Sequence, residues 1–332
     1  MSAAAVLVVG ATGQLGTTVV RRLNRAGLPV RALARRGSAY RHLEGEGIGV
    51  AFGDLREPAS LDAACQDIST VVATANAVVP RGAGRFGDTE DLGYANLIAA
   101  CRRQGVRRFV HMSVPKTPFD ARVPTFAAKR RVEAALAESG LEVCVFRGSL
   151  FMDDWFALMG SSIPLRGAEV HTLRRPFWFS RAFLGVVGHS VERRGIALVP
   201  GDGRTRHAFV ALDDVAAVLA AAAAAPAFSG VFEIGGPEVL SWQEVVDLFS
   251  EVLGRPIRSL HTPVGVYRAL SLALRPFSEA ASNLMGLSWV TAITETPWDS
   301  REVFARFGVT PTSALDFLKR RAALPEASAP TR

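Results

Sequence analysis

A run of apolar residues, Ala5-Val6-Leu7-Val8-Val9, stops at Gly10-Ala11-Thr12-Gly13-Gln14-Leu15-Gly16, and the apolar spacing then turns helical through Thr17-Thr18-Val19-Val20-Arg21-Arg22-Leu23. Strand, glycine turn and helix in that order form the context in which a glycine triplet reads as a dinucleotide site. Each glycine has a reason. A side chain at Gly10 blocks the tight turn, one at Gly13 holds the backbone away from a pyrophosphate, and one at Gly16 pushes the helix off the strand. Thr12, Gln14 and Leu15 lie between them, so Gly10, Thr12, Gly13, Gln14, Leu15 and Gly16 are the expected phosphate-binding residues. The N–H groups at the helix start face the phosphates, aided by the helix dipole. The competing reading is a glycine turn that serves packing alone.

The next strand, Pro29 to Ala34, ends in Arg35-Arg36. A site for NAD places Asp or Glu there, roughly 20 residues past the glycines, on the ribose 2′-hydroxyl. Two guanidinium groups favour a 2′-phosphate, which they bond with paired N–H groups. The expected cofactor is NADP(H); solvated surface arginines are the alternative. Val50-Ala51-Phe52 reads as a short strand ending in Gly53-Asp54-Leu55, with Asp54 and Leu55 beside the adenine, or with Asp54 merely starting the next turn.

The alternation continues. Thr70 to Ala75 is expected as a strand, with Thr74 and Ala75 at its carboxyl end in the cofactor region, and Asp91 to Gly105 as a helix closed by glycine. Arg108 to Ser113 is a strand, Ala127 to Ser139 a helix and Leu141 to Arg147 a strand. Such alternation implies an α/β fold, a doubly wound parallel sheet with ligands beyond the carboxyl ends of its strands. Residues 1–150 are expected to form this NADP-binding Rossmann domain, with 205–237 returning to it. Residues 151–204 and 238–322 form a smaller, mostly helical C-terminal substrate region, and 323–332 a flexible tail. Ser241 and Glu244 read as a capping box for a helix from Trp242 to Leu253. Val264 to Leu287 is apolar with helical spacing, and is open to use as a partner or membrane-surface face.

The chain has 332 residues, 49% hydrophobic and 21% charged, which is ample for a core. Cys65, Cys101 and Cys144 sit in apolar patterns without paired spacing, so reduced thiols, no metal and a cytoplasmic setting are expected. The alanine-rich stretch Val215 to Ser229 is too short to span a membrane, and the first apolar run is expected as a strand, not a signal peptide. The net charge of +7 comes from scattered arginines, including Arg102-Arg103, Arg107-Arg108, Arg130-Arg131 and Arg174-Arg175. No basic helix with interleaved aromatics stands out, so no nucleic-acid partner is expected. Self-association stays open.

Several of these segments together resemble the NmrA-like atypical short-chain dehydrogenase/reductases. They are Gly10 to Gly16, Gly53-Asp54-Leu55, Asn96 to Cys101, Lys129, Glu133, Ser139-Gly140-Leu141, Arg147, His207 to Val210, Asp213 to Ala216 and Glu233 to Pro237. The resemblance runs from about Ala4 to Arg320, and implies the Rossmann fold and a nicotinamide cofactor. The family it points to includes NADPH-dependent reductases, quinone reductases, redox-sensing regulators without turnover and accessory subunits of respiratory complex I.

That resemblance makes one position decisive. Short-chain dehydrogenases use Tyr-x-x-x-Lys with Ser or Thr at the end of the fifth strand; here the segment is Phe126-Ala127-Ala128-Lys129. Phe126 has no proton to give. Ser113 and Lys129 remain, and are the expected catalytic residues, with Lys129 polarising the acceptor or bonding the ribose. Phe126, Phe151, Asp153, Trp155 and His207 are the expected substrate neighbours. Phe156, Phe177, Trp178, Phe179 and Phe183 add apolar surface, either to a pocket or to a second core. Asp153 and Asp154 are alternatively helix caps, His207 a packed histidine and Tyr94 a packed tyrosine. No Gly-x-Ser-x-Gly elbow and no metal-ligand spacing occur. The expected function is NADPH-dependent reduction of a hydrophobic quinone, enone or imine; the alternative is a non-catalytic NADP(H)-binding redox sensor or accessory subunit.

Overall fold

The computed structural model describes residues 5–76, 88–168, 185, 187–226 and 228–325. Phe177, Trp178, Phe179, Phe183 and Arg174-Arg175 lie outside the described residues, as does most of the expected tail. The chain divides into two units. The first comprises residues 1–147, 215–232 and 306–309; the second comprises 148–214, 233–305 and 310–332.

In the first unit, strands β1 (Ala5–Val9), β2 (Val30–Ala34), β3 (Gly49–Phe52), β4 (Ile68–Ala73), β5 (Arg108–Ser113) and β6 (Glu142–Gly148) alternate with helices. These are α1 (Gln14–Arg25), α2 (Arg41–Gly45), α3 (Pro58–Cys65), α4 (Tyr94–Arg103) and α5 (Pro124–Ala137). The sheet order is β3-β2-β1-β4-β5-β6, followed by the strand Gly230–Ile234. All pairings from β3 to β6 are parallel. The order reverses between β1 and β4, which opens the crevice where a doubly wound sheet takes its ligand. The strands are near-continuous apolar runs because both faces are covered: Leu7, Val9, Val71, Ala73 and Phe109 pack with Leu61, Leu97, Val132 and Leu136 of the helices.

Helix ends follow local chemistry. Gly105 and Gly140 take φ of +70° and +75° just past α4 and α5, where a residue with Cβ is strained. The expected helix from Asp91 is corrected at its start. Residues Asp88–Gly93 form a π-helical turn and the α-helix begins at Tyr94. That wider turn carries Glu90 into the interior, where it is fully buried.

The second unit is mainly helical. It holds α6 (Met152–Leu158) and helices Trp242–Leu253, Val264–Leu274, Glu279–Thr291 and Ala314–Ala322. Ser241 and Glu244 close the reciprocal capping box. Two short sheets complete it: Ile196–Pro200 runs parallel to Arg258–Thr262, and Arg206–His207 antiparallel to Leu240–Ser241. Its core gathers Phe156, Phe209, Trp242, Phe249 and Phe317. Among the described residues no helix is long and apolar enough to cross a membrane.

Candidate functional site

The turn between β1 and α1 is shaped by what cannot fit there. Gly10 has φ +87°, and a Cβ on it would lie 2.6 Å from the Ala75 backbone nitrogen and 2.8 Å from Thr74 Oγ1. A Cβ on Gly16 would land on the Gly10 carbonyl. These contacts press the β4 end, the turn and α1 together. Gly13 differs: it is exposed, and a Cβ there would meet only the Gly10 carbonyl oxygen, at 3.3 Å. Any side chain would therefore fill open space over the turn. Gly13 is also the N-cap of α1, with no side-chain cap and no acidic residue in the first turn. An open cradle, an uncapped helix start and the positive end of a helix dipole together suit an anion. Thr12, Gln14 and Leu15 are part-exposed beside it.

A second positive feature lies at the ends of β2 and β3. Arg35 and Arg36 are exposed, and the Arg36 guanidinium lies 4.8 Å above the Phe52 ring, whose edge also meets Tyr40. Asp54 is engaged by Arg56, a residue the sequence did not single out. Its carboxylate accepts from the Arg56 backbone N–H at 2.9 Å and from the guanidinium at 2.8 Å. These bonds hold the Asp54 carboxyl below its ordinary range, with Arg35 adding a smaller pull. The turn-starting role therefore exists in the structure. Leu55 is buried beneath it, and its carbonyl accepts from Asn96 at 3.0 Å.

Around Lys129 the structure is closed. Lys129 is 1% exposed, its Nζ 3.3 Å from Glu90 and 3.3 Å from the Ala75 carbonyl, over the face of Tyr94 at 5.1 Å. Tyr94 is packed, and its hydroxyl donates to the same Ala75 carbonyl at 2.7 Å. Burial, with the Glu90 charge beside it, pushes the Tyr94 phenol well above its usual range, so it stays neutral. His111 meets Tyr94 edge-on at 5.1 Å and is fully buried. Burial, reinforced by Lys129 and Arg130, holds its imidazole well below its usual range, so it too is neutral. Phe126, one turn before Lys129 on α5, is 3% exposed.

Ser113 is already committed. Its hydroxyl donates to Glu133 at 2.5 Å and accepts from Arg130 at 3.3 Å. Glu133 also takes Arg147 at 2.6 Å and Arg130 at 3.0 Å, and Arg130 reaches Asp120. Charges this sheltered persist because each has an opposite partner. Glu90 and this network were missed as units by sequence reasoning. The spacing of Arg130 and Glu133, three apart on one helix face, was the available signal for the network; nothing in the spacing marked Glu90.

The remaining candidates belong to the second unit. Asp153 is fully buried, accepting from the Leu212 backbone N–H at 3.0 Å and from Arg321 at 2.8 Å. It caps the helix starting at Leu212, not its own, whose N-cap Phe151 makes no side-chain bond. Burial raises its pKa to about 6. His207 is fully buried, its ring nitrogens 3.0 Å from Thr296 Oγ1 and 3.1 Å from the Thr291 carbonyl, with Phe209 and Trp242 edge-on. Trp155 packs on Trp242, and Phe151 bridges to Val210. These partners place Asp153, Trp155 and His207 in the core of the unit. Among the described residues no group of His, Cys, Asp and Glu could hold a metal, and the three cysteines are buried and free.

The sequence pattern of the NmrA-like family matches residues 2–289. An NAD(P)H azoreductase of Xenophilus azovorans is 28% identical over 255 residues, 76% of this chain and 75% of the relative. A photosystem II assembly factor, Ycf39 of Cyanophora paradoxa, is 31% identical over 142 residues, 43% of this chain and 44% of the relative. Among solved structures, an NADPH-dependent quinone oxidoreductase from Escherichia coli complexed with NADPH superposes with a TM-score of 0.70 at 18% identity, covering 95% of this chain and 99% of that one. At that identity the likeness concerns the fold.

Proposed function

This chain belongs to the NmrA-like family, and from that premise we propose that it reduces a hydrophobic small molecule of quinone, enone or imine type with NADPH. The observation that carries the reading is the open cradle over Gly13 with Arg35 and Arg36 at the end of β2. Gly10, Thr12, Gly13, Gln14, Leu15 and Gly16 would receive the pyrophosphate on backbone N–H groups. Arg35 and Arg36 would take the 2′-phosphate, where a carboxylate would repel it. Asp54 and Leu55 would border the adenine, and Thr74, Ala75 and Lys129 the nicotinamide ribose. Bound there, NADPH supplies the hydride.

The chain's own task is then positioning and a proton. Phe126 offers none, and Ser113 is held by Glu133. Lys129 Nζ lies beside the Ala75 carbonyl just past β4, and on this reading it carries the proton and polarises the acceptor. A delocalised anion on a quinone or enone asks less of such an acid than an alkoxide does. The azoreductase and quinone oxidoreductase names among the relatives support this class of acceptor. The free buried thiols support a reducing, cytoplasmic setting.

A second reading is favoured by the closure around Lys129. With Nζ against Glu90 and Phe126 in the tyrosine position, the chain would bind NADP(H) without turnover, as a redox sensor or accessory subunit. The relative named as an assembly factor supports it. NADPH oxidation by the purified chain against quinones, enones, imines and aldehydes separates the two. Oxidation that requires the protein supports the reductase; tight NADPH binding without oxidation supports the second reading.

A further inference from the structure

The helix Val264–Leu274 is apolar on its exposed side. Taken at 100° per residue, its exposed side reads Leu272, Gly265, Ala269, Ala273, Val266 and Leu270 across an arc of about 160°, with no polar side chain. Val266 is 43% exposed, Leu270 41% and Leu272 52%, and Phe277 just beyond the helix is 85% exposed. The inward side mixes Val264 and Leu274 with Tyr267 and Ser271. Ser271 is buried against the neighbouring helix Glu279–Thr291, where it and Ser282 each donate to the other's carbonyl, at 3.0 and 2.7 Å. Asn283 and Gly286 are buried on that same neighbouring helix. A helix facing water turns its apolar stripe to the core. This one offers an unbroken apolar stripe outward, the arrangement of helices that meet a lipid interface.

Charge selects the partner. From Arg255 to Ser278 the chain holds Arg255, Arg258, Arg268 and Arg275 and no Asp or Glu. Arg268 and Arg275 fall side by side on one rim of the apolar arc. Arg268 is held there, its guanidinium 4.5 Å above the Trp289 ring, and Arg275 is exposed. Leu260 and Arg258 are exposed on the adjoining strand. A second copy on this face would bring Arg268 and Arg275 toward the same arginines of its partner.

We infer that this face docks on an anionic membrane surface. The helix lies in the plane of the interface, with Val266, Leu270, Leu272 and Phe277 entering the acyl boundary and the arginine rim on the headgroups. The attachment is peripheral and adds to the activity proposed above without depending on it.

The test is flotation of the full chain with vesicles of phosphatidylcholine alone or mixed with phosphatidylglycerol, beside sedimentation velocity without lipid. The wild type is expected to float with the mixed vesicles and less with phosphatidylcholine alone. Leu270→Asp with Leu272→Asp is expected to lower partitioning roughly tenfold or more, and Arg275→Glu roughly tenfold on the anionic vesicles only. All three positions are exposed, so the fold tolerates the changes. No flotation, or flotation that the double variant leaves intact, overturns the inference. Lipid-free self-association that the double variant abolishes assigns the face to a second copy and overturns it as well.

Discussion

Lys129 and Glu90 hold opposite charges 3.3 Å apart, with the lysine side chain 2% exposed and the glutamate fully buried. Each is tolerable in the interior because of the other. Lys129→Met leaves the carboxylate without its cation and is expected to lower the unfolding free energy by about 3–5 kcal/mol in urea titration. Adding Glu90→Gln should recover a large part of that loss. The double variant also isolates chemistry from folding. If it stays folded and still oxidises NADPH at the wild-type rate, Lys129 is not the proton carrier.

Arg35→Ala is expected to weaken NADPH binding by roughly ten- to hundredfold, the worth of a charge-assisted bond to phosphate, and NADH binding much less. Titration of cofactor fluorescence measures both. Equal losses for the two cofactors would remove the 2′-phosphate from this residue.

Gly10→Ala meets two obstacles at once: φ of +87° and a Cβ 2.6 Å from the Ala75 nitrogen. A melting curve should fall by several degrees, since a strained backbone position alone costs on the order of 1–3 kcal/mol. Cofactor binding should be lost with it, because the same strand end carries Thr74 and Ala75. Unchanged melting and binding would mean that the turn relaxes and the cradle is not rigid.

His207 gives a pH dependence with a defined sign. Burial lowers its pKa from 6.5 to about 4, partly offset by its bond to Thr291. The unfolded chain therefore binds the proton first. The stability it contributes is present above pH 6.5 and is lost as pH falls through about 4, by roughly 3 kcal/mol in all. Unfolding free energies of the wild type and of His207→Gln, measured from pH 7 to pH 4, should differ in slope across that window. Parallel curves would show that the ring is protonated in the fold. NADPH affinity should be the same in both.

The sheet and the glycine turn were legible because they rest on local rules. Near-continuous apolar runs, glycines where Cβ cannot fit and glycine stops after α4 and α5 all leave marks in consecutive residues. The place of Arg35 just past the end of β2 was legible for the same reason, fixed by counting. Glu90 was not, because its burial depends on one π-helical turn that widens the chain just before Tyr94. Nor was the fate of Ser113. Its partner Glu133 is 20 residues away, and only the packing of α5 across the sheet shows the hydroxyl spent on a carboxylate. Asp153 and His207 stayed open between pocket and structural roles, because a position beside a strand end allows either. In the structure Asp153 accepts from Leu212 and Arg321, and the His207 ring nitrogens meet the Thr291 carbonyl and the Thr296 hydroxyl.

The outer edge of β6 is covered by Gly230–Ile234, a strand that leaves the ribosome long after the other six. Until then the growing chain carries a sheet with one row of unsatisfied amides and carbonyls, which is a template for pairing with another chain. The last strand thus acts as a seal in time as well as in space. Synthesis interrupted before residue 230 leaves a nucleotide fold open on one side, and its fate rests on whichever chaperone or second nascent chain reaches that edge first.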